Sequence, residues 1–135
     1  MKDDCIFCKL ANGIIPTNTV YEDEEFRVIM DAAPATRGHS LILPKEHYAD
    51  IYELPEETAG KVFILGKKLA AHLRDTLGAD GFNIVQNNGE TAGQTVFHFH
   101  LHLIPRFKDD AQRIGWKPGS PSEEEQKEIL KKIQI

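Results

Sequence analysis

Apolar residues recur along this chain at two different periods. Val62, Leu65, Leu69 and Leu73 are spaced by three or four residues behind Pro55-Glu56-Glu57 and stop before Gly78. That pattern predicts one long amphipathic helix with an acidic start and a glycine stop. Elsewhere the apolar runs are short. Val20-Tyr21 and Phe26 to Met30 flank the acidic segment Glu22 to Glu25 and predict a hairpin. Asp31 to Gly38 reads as a loop, and Ser40 to Leu43 as a third strand ending at Pro44. Phe82 to Gln86 and Val96 to Ile104 predict two further strands across the polar loop Asn87 to Gln94, with Pro105 closing the second. Ile6 to Ala11 predicts a short helix stopped by Gly13, and Pro16 then forces an extended exit. Ser122 followed by Glu125 is a capping-box signature for a last, charged helix through Lys132.

Strands and helices do not alternate strictly, so the order favours an α+β fold with an antiparallel sheet over a parallel βαβ wind. A length of 135 residues suits one domain with a core of its own. The expected organisation is a domain over residues 1–107 and an extension over 108–135 that packs on it. Lys108 to Pro121 is the only linker-like stretch, and there are no repeats.

Charge narrows the function classes. A formal net charge of −5 disfavours a protein that coats nucleic acid or an anionic membrane, since both need a basic field. Small anions stay in play, because a local pocket of backbone N–H groups binds phosphate without net positive charge. Met1-Lys2-Asp3-Asp4 is charged, and no apolar run approaches the roughly 18 residues of a spanning helix. The expected compartment is the cytoplasm, with Cys5 and Cys8 reduced.

The chemistry concentrates in His98-Phe99-His100-Leu101-His102-Leu103-Ile104. As a strand, this segment puts three imidazoles on one face and Phe99, Leu101 and Leu103 on the other. His39 and His47 also lie outside the long helix, whereas His72 reads as an ordinary helix residue. A solvated strand face would be served equally by Lys, Glu or Thr. Neutral imidazole instead offers an unprotonated nitrogen for metal ligation or for nucleophilic and acid–base catalysis. An i, i+2 pair has Cα atoms roughly 6.6 Å apart, close enough for both rings to grip one metal. Spacing alone leaves both uses open.

The segment resembles the signature of the histidine triad (HIT) superfamily, His-φ-His-φ-His-φ-φ with φ apolar, and matches it at every position from His98 to Ile104. The likeness extends through Cys5-Ile6-Phe7-Cys8, Asp31, Pro34, His39, Pro44, Asn87, Gly89, Gly93 and Gln94. It is most similar to the Hint branch, which hydrolyses nucleoside 5′-phosphoramidates and related nucleotidyl conjugates. The resemblance implies a sheet of about five antiparallel strands under a long helix, a short C-terminal helix, and a homodimer joined through the long helix and an adjoining strand.

The resemblance also implies roles. His100 would attack the α-phosphorus of a purine nucleotide, and water would then release nucleoside monophosphate from the nucleotidyl-histidine. His102 and His39 would orient His100 and donate to phosphate oxygens. Thr95, Gln94 and the Gly93 backbone would hold the phosphate or the departing group, Asn87 would sit near ribose and phosphate, and Asp31 would accept from ribose hydroxyls. Phe7, Leu10, Ile15 and Ile29 resemble purine-pocket residues, although aliphatic side chains more often serve a core, and Asn87 to Gly89 is also a good hairpin turn. Thr95 stands where close Hint relatives carry serine, and the chain departs from the family pattern after Arg106. Three rival readings stand beside this one: a Fhit-like diadenosine polyphosphate hydrolase, suggested by Ile104-Pro105-Arg106, a purine-nucleotide-binding regulatory module with incidental hydrolysis, and a zinc-dependent hydrolase.

Cys5-x-x-Cys8 lacks the βαβ context of a thioredoxin motif. Two thiolates and two imidazoles would make a closed tetrahedral zinc site. In HIT proteins and galactose-1-phosphate uridylyltransferases that carry this pair, the partners match His47 and His98. The resemblance thus implies one structural zinc per chain on Cys5, Cys8, His47 and His98, leaving His100, His102 and His39 for chemistry.

Overall fold

Five strands build one antiparallel sheet in the computed structural model, which covers residues 1–135. They are β1 (Thr19–Glu22), β2 (Phe26–Met30), β3 (Ser40–Pro44), β4 (Gly81–Val85) and β5 (Leu101–Arg106), in the spatial order β1-β2-β3-β5-β4. The helices are α1 (Ile6–Ala11), α2 (Glu56–Leu77) and α3 (Glu123–Ile133). The β1–β2 turn is tied by the Asp23 carboxylate, which accepts from the backbone N–H groups of Glu25 and Phe26 at 2.8 Å each. No helix is long and apolar enough to cross a membrane.

Strand alternation divides the molecule into two layers. Phe26, Val28, Ile42, Leu101 and Leu103 join Phe99 on one side, packed against Val62, Leu69 and Leu73 of α2. Each such buried side chain adds roughly 1.5–3 kcal/mol of transfer free energy. Gly66 lets α2 settle onto β5, because a Cβ there would stand 3.1 Å from Leu101 Cδ2. Glu56 and Glu57 occupy the first turn of α2, and Gly78 ends it in the left-handed region at φ 66°. The other side of the sheet carries a smaller apolar cluster, Ile29, Leu41 and Leu43 with Ala11, flanked by Phe7 and Leu10 of α1. His102 alternates with Leu101 and Leu103 and therefore faces this second side.

Two expectations about β5 need correction. The predicted strand Val96 to Ile104 begins only at Leu101, where pairing with both neighbours starts: Ile42 lies opposite Leu101 and Val85 opposite His102. Residues before it bond elsewhere: Phe99 donates its N–H to the Tyr48 carbonyl at 2.6 Å. Pro105 also lies inside β5, opposite Phe82. A strand residue's N–H and C=O share one side, and on that side of Pro105 β3 has already ended, so the Thr36 hydroxyl donates to the Pro105 carbonyl at 2.6 Å.

Beyond β5 the extension over residues 108–135 is tied to the domain at its root. Arg106 anchors the root of the extension through a two-pronged pair with Asp110 (2.8 and 3.0 Å) and a bond to the Gln112 carbonyl. From Ala111 onward every residue is exposed. α3 has its capping box between Ser122 and Glu125 and buries none of its side chains. The apolar stripe of α3 faces no counterpart within its own chain.

Candidate active site and metal centre

Helix α1 opens at Cys5, whose Sγ accepts from the Cys8 N–H at 3.3 Å, so one short turn presents both thiols to the same corner. His98 Nδ1 stands 3.5 Å from Cys5 Sγ and 3.4 Å from Cys8 Sγ, and His47 Nδ1 stands 3.3 Å from Cys8 Sγ. The four potential ligand atoms lie within 4.8 Å of one another. Zinc–sulfur and zinc–nitrogen bonds of about 2.3 and 2.0 Å at tetrahedral angles separate sulfur from nitrogen by roughly 3.5 Å, which these spacings fit. His98 Nε2 is 2.8 Å from the Pro44 carbonyl, which can only accept. The ring proton therefore sits on Nε2, and the Nδ1 lone pair is turned toward the thiols. Burial pushes the Cys8 thiol up and holds His98 down at about 4. A bound cation would reverse the first effect by stabilising thiolate.

The other three imidazoles are also set by their partners. His100 Nδ1 lies 2.7 Å from the His98 carbonyl, so Nδ1–H donates and Nε2 keeps a free lone pair. The Ala35 N–H donates to His39 Nδ1 at 2.9 Å, which puts the His39 proton on Nε2. That proton is donated to His102 Nδ1 at 3.0 Å, leaving His102 with a proton on Nε2. Burial lowers the pKa of His39 and His100. His102 falls to about 4 through burial first, then through the neighbouring His100 and His39. Near neutral pH the row thus holds one nucleophilic nitrogen beside one N–H donor. Asp31 Oδ2 is 3.5 Å from His39 Nε2, and its Oδ1 accepts from the Ala33 N–H at 2.8 Å. Asp31, His39 and His102 bring three ligand-type atoms together. With Ala35 occupying Nδ1 of His39, however, its protonated Nε2 has no lone pair for a cation.

A cleft of about 400 Å³ opens against this row between α1, β2 and the loop before β5. Phe7, Leu10, Ile29, Asp31, Thr95, His100 and His102 line it, and the Phe7 ring meets His100 edge-on at 4.9 Å. Ile15, Asn87, Gly93, Gln94 and His39 are not among its lining residues. His39 acts from behind, through His102. Gln94 is buried, and its amide is fully engaged: Nε2 donates to the Ala49 and Val96 carbonyls at 2.7 and 3.1 Å, and Oε1 accepts from the Gly89 N–H at 2.8 Å. These bonds clamp the loop between Gly89 and Val96. Gly89 (φ 90°) and Gly93 (φ 99°) bracket the single turn Glu90–Ala92 in the left-handed region, and Asn87 lies against Gly93. Thr17, Asn18 and Met30 also line the cleft and were not singled out in the sequence. Only the extended exit forced by Pro16 could have pointed to Thr17 and Asn18.

Residues 12–109 match the HIT domain. The chain is 38% identical to an adenosine 5′-monophosphoramidase of Schizosaccharomyces pombe, over 88% of this chain and 89% of that one. A crystal structure from Streptococcus mutans UA159 superposes with a TM-score of 0.93 at 42% identity, covering 99% of this chain and 85% of that one. Such a match includes residues 111–135 as well as the domain. A zinc-bound histidine triad protein of Mycobacterium smegmatis superposes with a TM-score of 0.78 at 40% identity, covering 96% of this chain and 91% of that one. By its domain match, its sequence relatives and its fold, the chain belongs to the histidine triad (HIT) family.

Proposed function

We propose that the protein is a nucleotide hydrolase or transferase that cleaves nucleoside 5′-phosphoramidates or related nucleotidyl conjugates through a nucleotidyl-histidine on His100. The observation that carries this reading is the pair of fixed tautomers. A carbonyl-bound Nδ1–H leaves His100 Nε2 as a nucleophile, and the Ala35–His39–His102 relay supplies an N–H donor beside it. In the first step His100 Nε2 bonds to the α-phosphorus, the bond from phosphorus to the amine breaks, and the amine leaves with a proton passed from solvent through the Thr95 hydroxyl, which lines the cleft. The ring becomes cationic, and its Nδ1–H bond to the His98 carbonyl strengthens as charge develops. His102 Nε2–H donates to a nonbridging oxygen. In the second step water bonds to phosphorus and gives up a proton to solvent, the P–N bond to His100 breaks with its electron pair returning to Nε2, and nucleoside monophosphate is released from the neutral ring.

Asp31 accepts from the ribose, while Phe7, Leu10 and Ile29, with Ile15 behind them, offer an apolar slot for a purine. Thr95 faces the leaving group, and Asn87 and Gly93 shape the loop beside it. Cys5, Cys8, His47 and His98 hold one structural zinc, which would tie the N-terminus to the segment carrying His100; with four protein ligands it has no open position for water. Two copies pair through α2 and β4, and the protein works in the cytoplasm. Arg106, which suggested the Fhit-like alternative, is held by Asp110 and Asn83.

Rapid quench of the enzyme with adenosine 5′-phosphoramidate, followed by mass spectrometry, is expected to find adenylate on the peptide containing His100. Turnover without any adduct in burst-phase samples would reject the covalent route. Faster cleavage of diadenosine tetraphosphate than of the phosphoramidate would move the protein to the alternative class.

A further inference from the structure

Of the loop residues Ala32 to Gly38, which lead into β3, Thr36 alone is buried, at 7% exposure. Its hydroxyl donates to the Pro105 carbonyl of β5 at 2.6 Å, and its own carbonyl accepts from the His39 N–H at 3.2 Å. That second bond closes a tight turn over Thr36-Arg37-Gly38-His39, with Gly38 at φ 87° in the third position, where a type II turn needs glycine. The turn is wedged against the ends of two elements. A Cβ at Gly38 would stand 2.4 Å from Leu77 Cδ1 of α2 and 3.4 Å from Pro105 Cγ, and the Arg37 guanidinium carbon lies 3.9 Å from the centre of the Phe107 ring. Upstream, Ala32, Ala33 and Pro34 are exposed, tied only where the Ala33 N–H meets the Asp31 carboxylate. Thr36 is therefore the residue that fastens this loop to the sheet.

What the hydroxyl fastens is the neighbouring Ala35 N–H, which donates to His39 Nδ1. Burial lowers both His39 and His102, so near pH 7 each neutral ring carries one proton and either nitrogen can hold it. With Ala35 in place, His39 Nε2–H donates to His102 Nδ1, and His102 turns an N–H toward the cleft it lines. Without that contact the proton can sit on His39 Nδ1. His39 Nε2 then accepts from His102 Nδ1–H, and His102 presents a lone pair where it had presented a proton. One lost backbone contact thus inverts two rings, and a donor that stabilises a phosphate oxygen becomes an acceptor that repels it. The Asp31 carboxylate, 3.5 Å from His39 Nε2, draws the proton the same way, but from too far to fix it alone.

We propose that Thr36 is a positioning residue, its hydroxyl bond to the Pro105 carbonyl holding the Ala35 N–H on His39 and so keeping the proton of His102 aimed at the cleft. The consequence for turnover rests on the reading given under Proposed function; the placement of the proton does not. Ring nitrogen-15 spectra of the full chain near pH 7 read that placement directly. In the native protein His39 and His102 should each show a protonated Nε2 and a bare Nδ1. Thr36→Val, which keeps the shape and deletes the hydroxyl, should move both pairs of shifts toward the opposite tautomer. Thr36→Ala, which sets less bulk against the bare carbonyl, carries the same expectation. With adenosine 5′-phosphoramidate either variant should lose roughly ten- to hundredfold in kcat with KM little changed, the signature of a weakened oxyanion donor. Thr36→Ser restores the hydroxyl and should return both readouts toward native values. Native ring nitrogens in the valine and alanine variants overturn the proposal, whether or not melting temperature or turnover falls. So does a serine variant as impaired as they are. Inverted ring nitrogens in variants whose native parent cleaves no nucleotide conjugate would overturn the proposed function and leave the placement of the proton by Thr36 standing.

Discussion

The two faces of the sheet are made by the same strands, one residue apart, and they are held by different physics. Facing α2, Phe99, Leu101 and Leu103 meet Val62, Leu69 and Leu73 in contacts that depend on volume and area. Facing α1, His98, His100 and His102 meet carbonyls, thiols and other imidazoles, and the tautomer of each ring is assigned by one hydrogen-bond partner. The first face tolerates any apolar replacement of similar size. The second does not tolerate even an isostere that moves a proton.

Adjacent residues give the sharpest test of that contrast. His100→Ala is expected to lower steady-state turnover by at least roughly a thousandfold, because a nucleophile's loss removes the covalent route. Binding of nucleoside monophosphate should survive. Leu101→Ala should do the reverse, costing about 2–5 kcal/mol of stability for an opened core while the folded fraction keeps its turnover per site. Denaturant titration beside steady-state kinetics checks both, and a His100→Ala variant with substantial hydrolysis would end the distinction between the faces.

Metal removal should act next in size, and through folding. Strong chelation or Cys8→Ser is expected to lower the melting temperature and to loosen residues near α1 before activity falls. Elemental analysis of protein purified without chelators should find about one zinc per chain. A metal-free preparation that is fully folded and inactive would assign the ion to catalysis instead.

The smallest expected effect is a slope with pH. His102 is held at about 4, mainly by burial and then by His100 and His39, with the Asp31 carboxylate opposing. An unfolded histidine titrates near 6.5, so below that pH the unfolded state binds a proton that the folded state refuses. The contribution to stability is complete above about pH 6.5 and is lost as pH falls toward 4. Denaturant midpoints at pH 7 and pH 5 should differ less in His102→Gln than in the native protein. An identical difference would place the titration elsewhere.

Much of this architecture is legible in sequence, for reasons that also mark the limits. The period of α2 and its glycine stop survive because they are local. The sidedness of the histidine row survives because alternation persists from His98 to Ile104 even though ladder pairing starts only at Leu101. Where a strand begins depends on which segment its backbone bonds to, as Phe99 bonds to Tyr48, and no local pattern records that. Gln94 illustrates a second limit: the partners of its buried amide, Ala49 and Gly89, come from elsewhere in the chain, and no local pattern announces them. Tautomers are a third, since those of His39 and His98 depend on an Ala35 N–H and a Pro44 carbonyl contributed by other elements.

His98 belongs to both corners of the site. Its Nδ1 faces the two cysteine thiols, and its own carbonyl accepts from the Nδ1–H of His100, two residues on. Whatever steadies the first corner therefore sets the aim of the second without touching substrate. A descendant of this chain could abandon the cysteines and keep its chemistry, provided some other packing held that one peptide plane in place. The cysteine corner is a gun mount, whose failure spoils accuracy while leaving the charge intact.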